Sequence, residues 1–366
     1  MESIAIALFL CLLLAILTRR FSLPPIPFYI IAGLLIGNSG IRLIHTDPFT
    51  DLFSHLGLIF LLFYSGLGMK PERFIRKGSG LLISGLVDLN VNVLIGFFGA
   101  LALGFGPFDA FVVGSALFDT SSAISLASLI DNKKLISSES ETIVWMMVFE
   151  DLLMVFLIFF ISAKMEHPFI LVLKIISIII FCYALITAIR KPLISILKRD
   201  DEVPVMLTVT SVLAASGAAI YLNIPEAVPL IALGSALSKT NPIILQRITT
   251  PFKDIFLALL FIFFGVSIQL SGYISFVFIV VISLLAIGSK VFTGLIVGKL
   301  LHNSYTSGVE IGDYTIARGE FAIVLAAIYG SPMVSTTVAA VVIITSIFGS
   351  FTSKYSDNIH KWVIGK

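Results

Sequence analysis

Glu150 and Asp151 stand side by side in Val144-Trp145-Met146-Met147-Val148-Phe149-Glu150-Asp151-Leu152-Leu153-Met154-Val155-Phe156, a run that is otherwise apolar. The stretch around them is long enough to cross a bilayer. An acid at that depth costs about 3 kcal/mol on insertion scales unless it is paired, hydrated or ligated, which makes it a functional candidate by default. A carboxylate holds either a proton or a dehydrated cation, and oxygen ligands suit hard alkali ions. Competition of H+ and Na+ for one carboxylate is sufficient for antiport. At about 100° per residue the two acids cannot point the same way, so one can face a cavity while the other reaches a neighbouring helix. Asp151 is the candidate exchangeable site.

Other polar residues at membrane depth could complete the chemistry. Lys290, in Ala286-Ile287-Gly288-Ser289-Lys290-Val291-Phe292, is a cation within another apolar segment and needs an acid partner; Glu150 is the first candidate. Asp119 precedes Thr120, Ser121 and Ser122. These residue types cap helix N-termini, and their hydroxyls and carbonyls can also join a cation shell. Capping is expected of Asp119, and proximity to the cation of Thr120 and Ser121, so Asp151 and Thr120 are the expected Na+ contacts. Arg318 and Glu320, two residues apart, do not face each other on a regular helix. Either the helix is interrupted at Gly319 or each pairs with another segment. Arg318, permanently charged, suits compensating half-helix ends, with Glu320 in the same charge-pairing role. Asp88, in Gly85-Leu86-Val87-Asp88-Leu89-Asn90-Val91-Asn92, could border the ion path or contact the neighbouring segment. There is no Walker A motif, dinucleotide fingerprint or zinc-ligand spacing, so ATP-driven pumping and cofactor chemistry have no support. Neither an enzyme nor a nucleic-acid partner is expected.

The elements that must position these residues are membrane helices. Apolar residues make up 58% of the 366 and charged residues 13%, against about 25% charged in soluble domains. Cys11 and Cys182 fall in expected spans, so no disulfide framework is implied. Hydropathy with turn signals predicts about thirteen segments, near 3–18, 26–43, 53–69, 79–104, 109–130, 142–163, 168–189, 204–222, 226–238, 254–270, 273–300, 309–330 and 333–352; twelve is the competing count. The first reads as a membrane helix, since no basic region precedes it and no cleavage site follows. Loops after odd-numbered segments carry Arg19-Arg20, Lys70, Arg73, Arg76, Lys77, Lys133-Lys134, Arg190, Lys191, Lys198, Arg199, Lys239, Arg247 and Lys253. Lys299 lies near the eleventh segment, and Lys354, Lys361 and Lys366 lie in the tail. Loops after even-numbered segments offer Arg42 and Lys164. That asymmetry puts the N-terminus outside and the C-terminus in the cytoplasm.

The fifth and twelfth segments contain polar knots, Gly114–Ala123 and Gly312–Phe321. Paired interrupted helices in two halves point to a transporter of inverted repeats, here segments 1–6 and 8–13 with the seventh as linker.

In order along nearly the whole chain, these stretches resemble the monovalent cation:proton antiporter superfamily, in its NapA- and Kef-like branch. Leu23–Gly37 resembles its second-helix pattern, Leu56–Leu67 its third, Phe261-Ile262-Phe263-Phe264-Gly265-Val266 its FF-x-G segment and Arg318-Gly319-Glu320-Phe321 its RGEF-like stretch. The resemblance implies an all-α polytopic fold of the NhaA/NapA type, in which two inverted six-helix repeats contribute crossed, broken helices. It implies an ion-binding core, about 79–163 and 272–352, moving as an elevator against a dimerisation part, about 1–78 and 204–271, with 168–200 as linker helix. Asp151 falls on the family's ion-binding aspartate, Thr120 and Ser121 on the Thr-Ser of the first broken helix, and Lys290 on the lysine that pairs with the residue before that aspartate in electrogenic members. That preceding residue is Asp, Asn or Gln across the branch and Glu150 here, which retains charge and lengthens reach. Asp119 is an added acid before the Thr-Ser pair. The sequence ends soon after the last segment, so the Kef-type cytosolic nucleotide-binding domain, with its regulation by NAD or glutathione adducts, is not expected.

The resulting expectation is a homodimeric Na+(Li+)/H+ antiporter of the cell membrane, surrounded by lipid, serving pH homeostasis by alternating access and needing no cofactor. A Kef-like K+/H+ antiporter is the nearest alternative, and a non-transporting membrane sensor of the same fold is the alternative from another class.

Overall fold

The computed structural model describes residues 2–21, 23–68, 78–134, 137–162, 168–222, 224, 226–268 and 276–356. Lys70, Arg73, Arg76, Lys77, Lys164, Lys361 and Lys366, counted above among the basic flanks, lie outside them. The described residues form sixteen helices: α1 (Glu2–Arg20), α2 (Pro25–Ile36), α3 (Pro48–Gly68), α4 (Gly78–Ala102), α5 (Pro107–Ala116), α6 (Ser122–Asp131), α7 (Ser138–Ser162), α8 (Pro168–Ala188), α9 (Arg190–Leu197), α10 (Val203–Tyr221), α11 (Ala227–Leu237), α12 (Pro242–Ser267), α13 (Phe276–His302), α14 (Tyr305–Thr315), α15 (Glu320–Tyr329) and α16 (Pro332–Lys354). Seven are long and apolar enough to cross a membrane, or eight if α8 and α9, bent by 70°, count as one span. α2, α11 and α15 are shorter apolar helices. The polar knots read from the sequence divide two segments: α5 gives way to α6 across 117–121, and α14 to α15 across 316–319.

Local chemistry sets the helix starts. Pro sits in the first turn of α2, α5 and α16, where its missing N–H costs nothing. Ser304 caps α14 by accepting from Ser307 N at 3.1 Å, and Ser331 caps α16 by accepting from Val334 N at 3.4 Å.

The chain divides into two compact units. One comprises Asp47–Arg76 and Val155–Leu260. Within it α11 packs against α3 and α8, and the Phe60 ring stacks on Phe252 and Phe256, each 5.7 Å away. His55 on α3 meets both carboxylate oxygens of Glu226 at 2.9 Å, and Ser216 donates to the same carboxylate.

The other unit comprises Glu2–Thr46, Lys77–Met154 and Phe261–Lys366, and it holds all the candidate ion-site residues. α4 packs on α5 and α13, and α13 packs on α14. Between lipid-solvated helices, close backbone approach replaces hydrophobic burial as the driving force, and small residues permit it. A Cβ on Gly294 of α13 would collide with the backbone of Gly308 and Gly312 on α14. This contact holds α13, and so Lys290, against the second broken helix.

Candidate ion site at the crossing of two broken helices

The two breaks pair with each other through their backbones. Thr120 and Arg318 form an isolated antiparallel bridge. Ser121 N donates to Ala317 O at 2.8 Å, and Gly319 N to Asp119 O at 3.3 Å. Side chains could not all fit at this distance: a Cβ on Gly319 would lie 2.7 Å from Asp119 Oδ2 and 2.9 Å from Thr120 O. Irregular backbone at membrane depth is tolerated when buried partners satisfy it, and here each break satisfies the other.

Four helix ends meet at this crossing, and each finds a group of complementary charge. The C-terminal ends of α5 and α14 are electronegative. Lys290 donates to Phe118 O at 2.8 Å just beyond α5, while Arg318 reaches Thr315 O at 3.5 Å and Ser125 Oγ donates to Tyr314 O at 2.6 Å, both at the end of α14. The N-terminal ends of α6 and α15 are electropositive. Glu150 Oε2 accepts from Thr120 N at 2.6 Å near the start of α6, and Asp119 Oδ2 accepts from Ala322 N at 2.8 Å in the first turn of α15. Asp119 is therefore a cap, but of the other broken helix and not of the one that follows it in sequence.

α7 carries the adjacent acids into this crossing in unlike surroundings. Glu150 is fully buried, and both its oxygens are engaged. Besides Thr120 N, it accepts from Thr120 Oγ1 at 3.0 Å and from Lys290 Nζ at 2.9 Å. Asp151 is only partly buried and has no hydrogen-bond or ion-pair partner among the described residues. The charges whose fields reach it are Glu320 and then Glu150. Asp119 Oδ1, Ser121 Oγ and Glu320 Oε2 are buried without a hydrogen-bond partner among the described residues. Free oxygens of that kind are what an arriving cation or proton can use.

Lys290 has no solvent exposure, and its second acid partner is Asp88, whose two oxygens both lie 2.9 Å from Nζ. Arg318, also buried, donates to Ala286 O and at 3.3 Å to Ser289 Oγ on α13, so it binds neutral acceptors and joins no ion pair among the described residues. Thr120 spends its hydroxyl on Glu150 and on Thr315 O at 3.4 Å. Among the described residues no group of three or more His, Cys, Asp or Glu side chains is disposed to hold a metal ion.

The pairing of Asp88 with Lys290 is not specified by residue type alone. A signal was nonetheless present: Ser84, Asp88 and Asn92 recur every four residues on α4, a polar stripe within an apolar helix, and all three are buried. Asn92 Nδ2 donates to Asp88 Oδ1 at 2.8 Å and to Thr293 Oγ1 of α13 at 3.2 Å.

A polytopic helical unit with two crossed, broken helices, and intramembrane acids and bases gathered at the crossing, defines a secondary ion transporter. The chain belongs to the sodium/hydrogen exchanger transmembrane family, whose profile matches residues 5–355. It is a multi-pass membrane transporter of the cation/proton antiporter class and not an enzyme. It is similar to the K+/H+ antiporter subunit KhtU of Bacillus subtilis, 26% identical over 97% of this chain and 93% of the relative. It is also similar to the Na+/H+ antiporter of Enterococcus hirae, 24% identical over 95% of this chain and 98% of the relative. Among solved structures it shares its fold with the sodium proton antiporter MjNhaP1 of Methanocaldococcus jannaschii, at 17% identity and a TM-score of 0.71 over 99% of this chain and 98% of that one.

Proposed function

We propose that the chain exchanges Na+ or Li+ for H+ by alternating access, with Asp151 as the carboxylate that cation and proton occupy in turn. One observation carries this reading: of the two adjacent acids, Glu150 accepts from protein donors at both oxygens, whereas the Asp151 carboxylate has none among the described residues. Proton binding at Asp151 releases the cation on one side of the membrane, and cation binding displaces the proton on the other. Ser121 Oγ, likewise without a partner among the described residues, is available to the same cation. Thr120 contributes oxygen nearby, and Glu150, Lys290, Asp119, Arg318 and Glu320 balance charge around the breaks.

The movement proposed is of elevator type: a core of about 79–163 and 272–352 shifts against a dimerisation part of about 1–78 and 204–271, with 168–200 as linker. The working form is a homodimer with N-termini outside and C-termini in the cytoplasm, and its role is pH homeostasis. Basic loop residues support that orientation.

K+/H+ exchange is the second reading, favoured by the likeness to the Bacillus subtilis relative named above. Everted vesicles carrying a pH-sensitive dye decide both points. Dissipation of ΔpH by Na+, Li+ and K+, added separately, ranks the substrates. Asp151→Asn should abolish the response to every cation; a variant that still dissipates ΔpH at the wild-type rate removes Asp151 from the mechanism.

A further inference from the structure

We propose that Asp88 is a positioning residue of the exchange: it holds Lys290 in place as a fixed positive charge, so that Glu150 can change its bonding without releasing the ammonium. This deepens the function proposed above and rests on Asp151 being the exchanged carboxylate.

The geometry around Lys290 is asymmetric. An ammonium has three protons to donate. Here it faces both oxygens of Asp88 at 2.9 Å, Phe118 O at 2.8 Å and a single oxygen of Glu150 at 2.9 Å. Glu150 therefore supplies one of four contacts, and its other oxygen is committed to Thr120 N at the break. If Glu150 turns away, Lys290 keeps an acid and a carbonyl. If Asp88 is lost, only the longer and more flexible acid remains.

Asp88 is itself braced from its own helix and, through Asn92, from α13. Asn92, one turn along α4, donates to its Oδ1 at 2.8 Å. The amide oxygen of Asn92 accepts from Ser289 Oγ of α13 at 2.7 Å, and Ser289 in turn accepts from Arg318. A continuous chain of contacts thus runs from Arg318 through Ser289, Asn92, Asp88 and Lys290 to Glu150. It contains two acids and two permanent or paired bases, and the fields of Asp88, Glu150 and Asp119 all reach Arg318. With all four ionised, the charges of Asp88, Glu150, Lys290 and Arg318 sum to zero, a balance that a low-dielectric interior favours. Asp119, Asp151 and Glu320 form no salt bridge among the described residues. The charge that varies during transport is therefore carried by that second group, while the first holds its own charge constant.

The experiment measures how exchange in proteoliposomes depends on an imposed membrane potential, for wild type, Asp88→Asn and Asp88→Glu. If Asp88 fixes Lys290, Asp88→Asn leaves the ammonium with Glu150 as its one acid partner among the described residues, and the slope of rate against potential changes. Asp88→Glu, which keeps the charge, restores the wild-type slope. An Asp88→Asn variant with the wild-type slope overturns the proposal, and so does a changed slope that Asp88→Glu fails to restore. If Asp88→Asn yields no folded protein, the pair Asp88→Asn/Lys290→Met decides: it should be recovered where Asp88→Asn is not, because the charges of Glu150 and Arg318 still balance once Asp88 and Lys290 are neutralised together. A pair recovered no better than Asp88→Asn overturns the proposal. Asp151→Asn in the same liposomes separates the two readings. If it still exchanges, Asp151 is the wrong exchange site, whereas the Asp88 comparison fails only on its own slope or recovery.

Discussion

Asp119 and Ala322 are 203 residues apart, yet the Asp119 carboxylate accepts the Ala322 amide at 2.8 Å, so the acid at one break caps the restart of the other helix. The bond ties the two halves of the crossing together more directly than a cap within one helix would. Asp119→Ala is expected to cost about 1–2 kcal/mol, the range of a lost N-terminal cap. Asp119→Asn, whose amide oxygen can still accept, should cost less. Thermal unfolding in detergent measures the order, and equal losses for the two variants would show that hydrogen bonding is not what Asp119 contributes.

Thr120→Val keeps the shape of the side chain and removes the hydroxyl that lies 3.0 Å from Glu150. A lost bond to a charged acceptor is expected to cost about 1.5–3 kcal/mol. Thr120→Ser should retain most of it. The same unfolding measurement applies, and a Val variant as stable as wild type would assign the bond no energetic role.

Arg318 reaches Thr315 O through Nη1 and both Ala286 O and Ser289 Oγ through Nη2. A lysine ammonium lacks the planar fork that spans these acceptors. Arg318→Lys should therefore behave as a loss of function despite conserving charge, with a transport rate lowered at least tenfold, about 1.4 kcal/mol. Near wild-type rates in vesicles would mean that charge alone suffices at this position.

Two glycines on α13 make a matched pair. Gly294 faces the α14 backbone, whereas nothing lies within 4 Å of the place where a Cβ on Gly288 would stand. Gly294→Ala should destabilise by about 1–3 kcal/mol through overpacking. Gly288→Ala should be neutral or stabilising by up to about 1 kcal/mol, from helix propensity. Comparable stabilities for the two variants would contradict the close approach of α13 and α14.

Much of the architecture was legible because lipid imposes strong rules on sequence. Long apolar runs marked the spans, and Gly114–Ala123 and Gly312–Phe321 could not be uninterrupted lipid-facing helices. The adjacency of Glu150 and Asp151 guaranteed that they diverge on one helix, and the structure gives them unlike surroundings. What could not be read was the partner of each polar group. Lys290 lies 202 residues from Asp88 and 140 from Glu150, and both acids stand within long, largely apolar helices. Asp119 offered capping chemistry to the helix after it, and the crossing aimed it at α15 instead.

By itself the sequence determined that the chain lives in a bilayer, that two of its helices break, and that buried acids and bases must find each other. Those conclusions follow from desolvation, which penalises any unpaired charge or backbone group in hydrocarbon wherever its partner comes from. Only the tertiary structure decided that Lys290 is shared by Asp88 and Glu150, that each break completes the other, and that Asp151 is left open among the described residues. Desolvation sets the need for a partner but does not choose between candidates at similar depth. That choice is made by which helix backbones can approach, as Gly294 and Gly319 permit here, and by the direction in which each break aims its side chains.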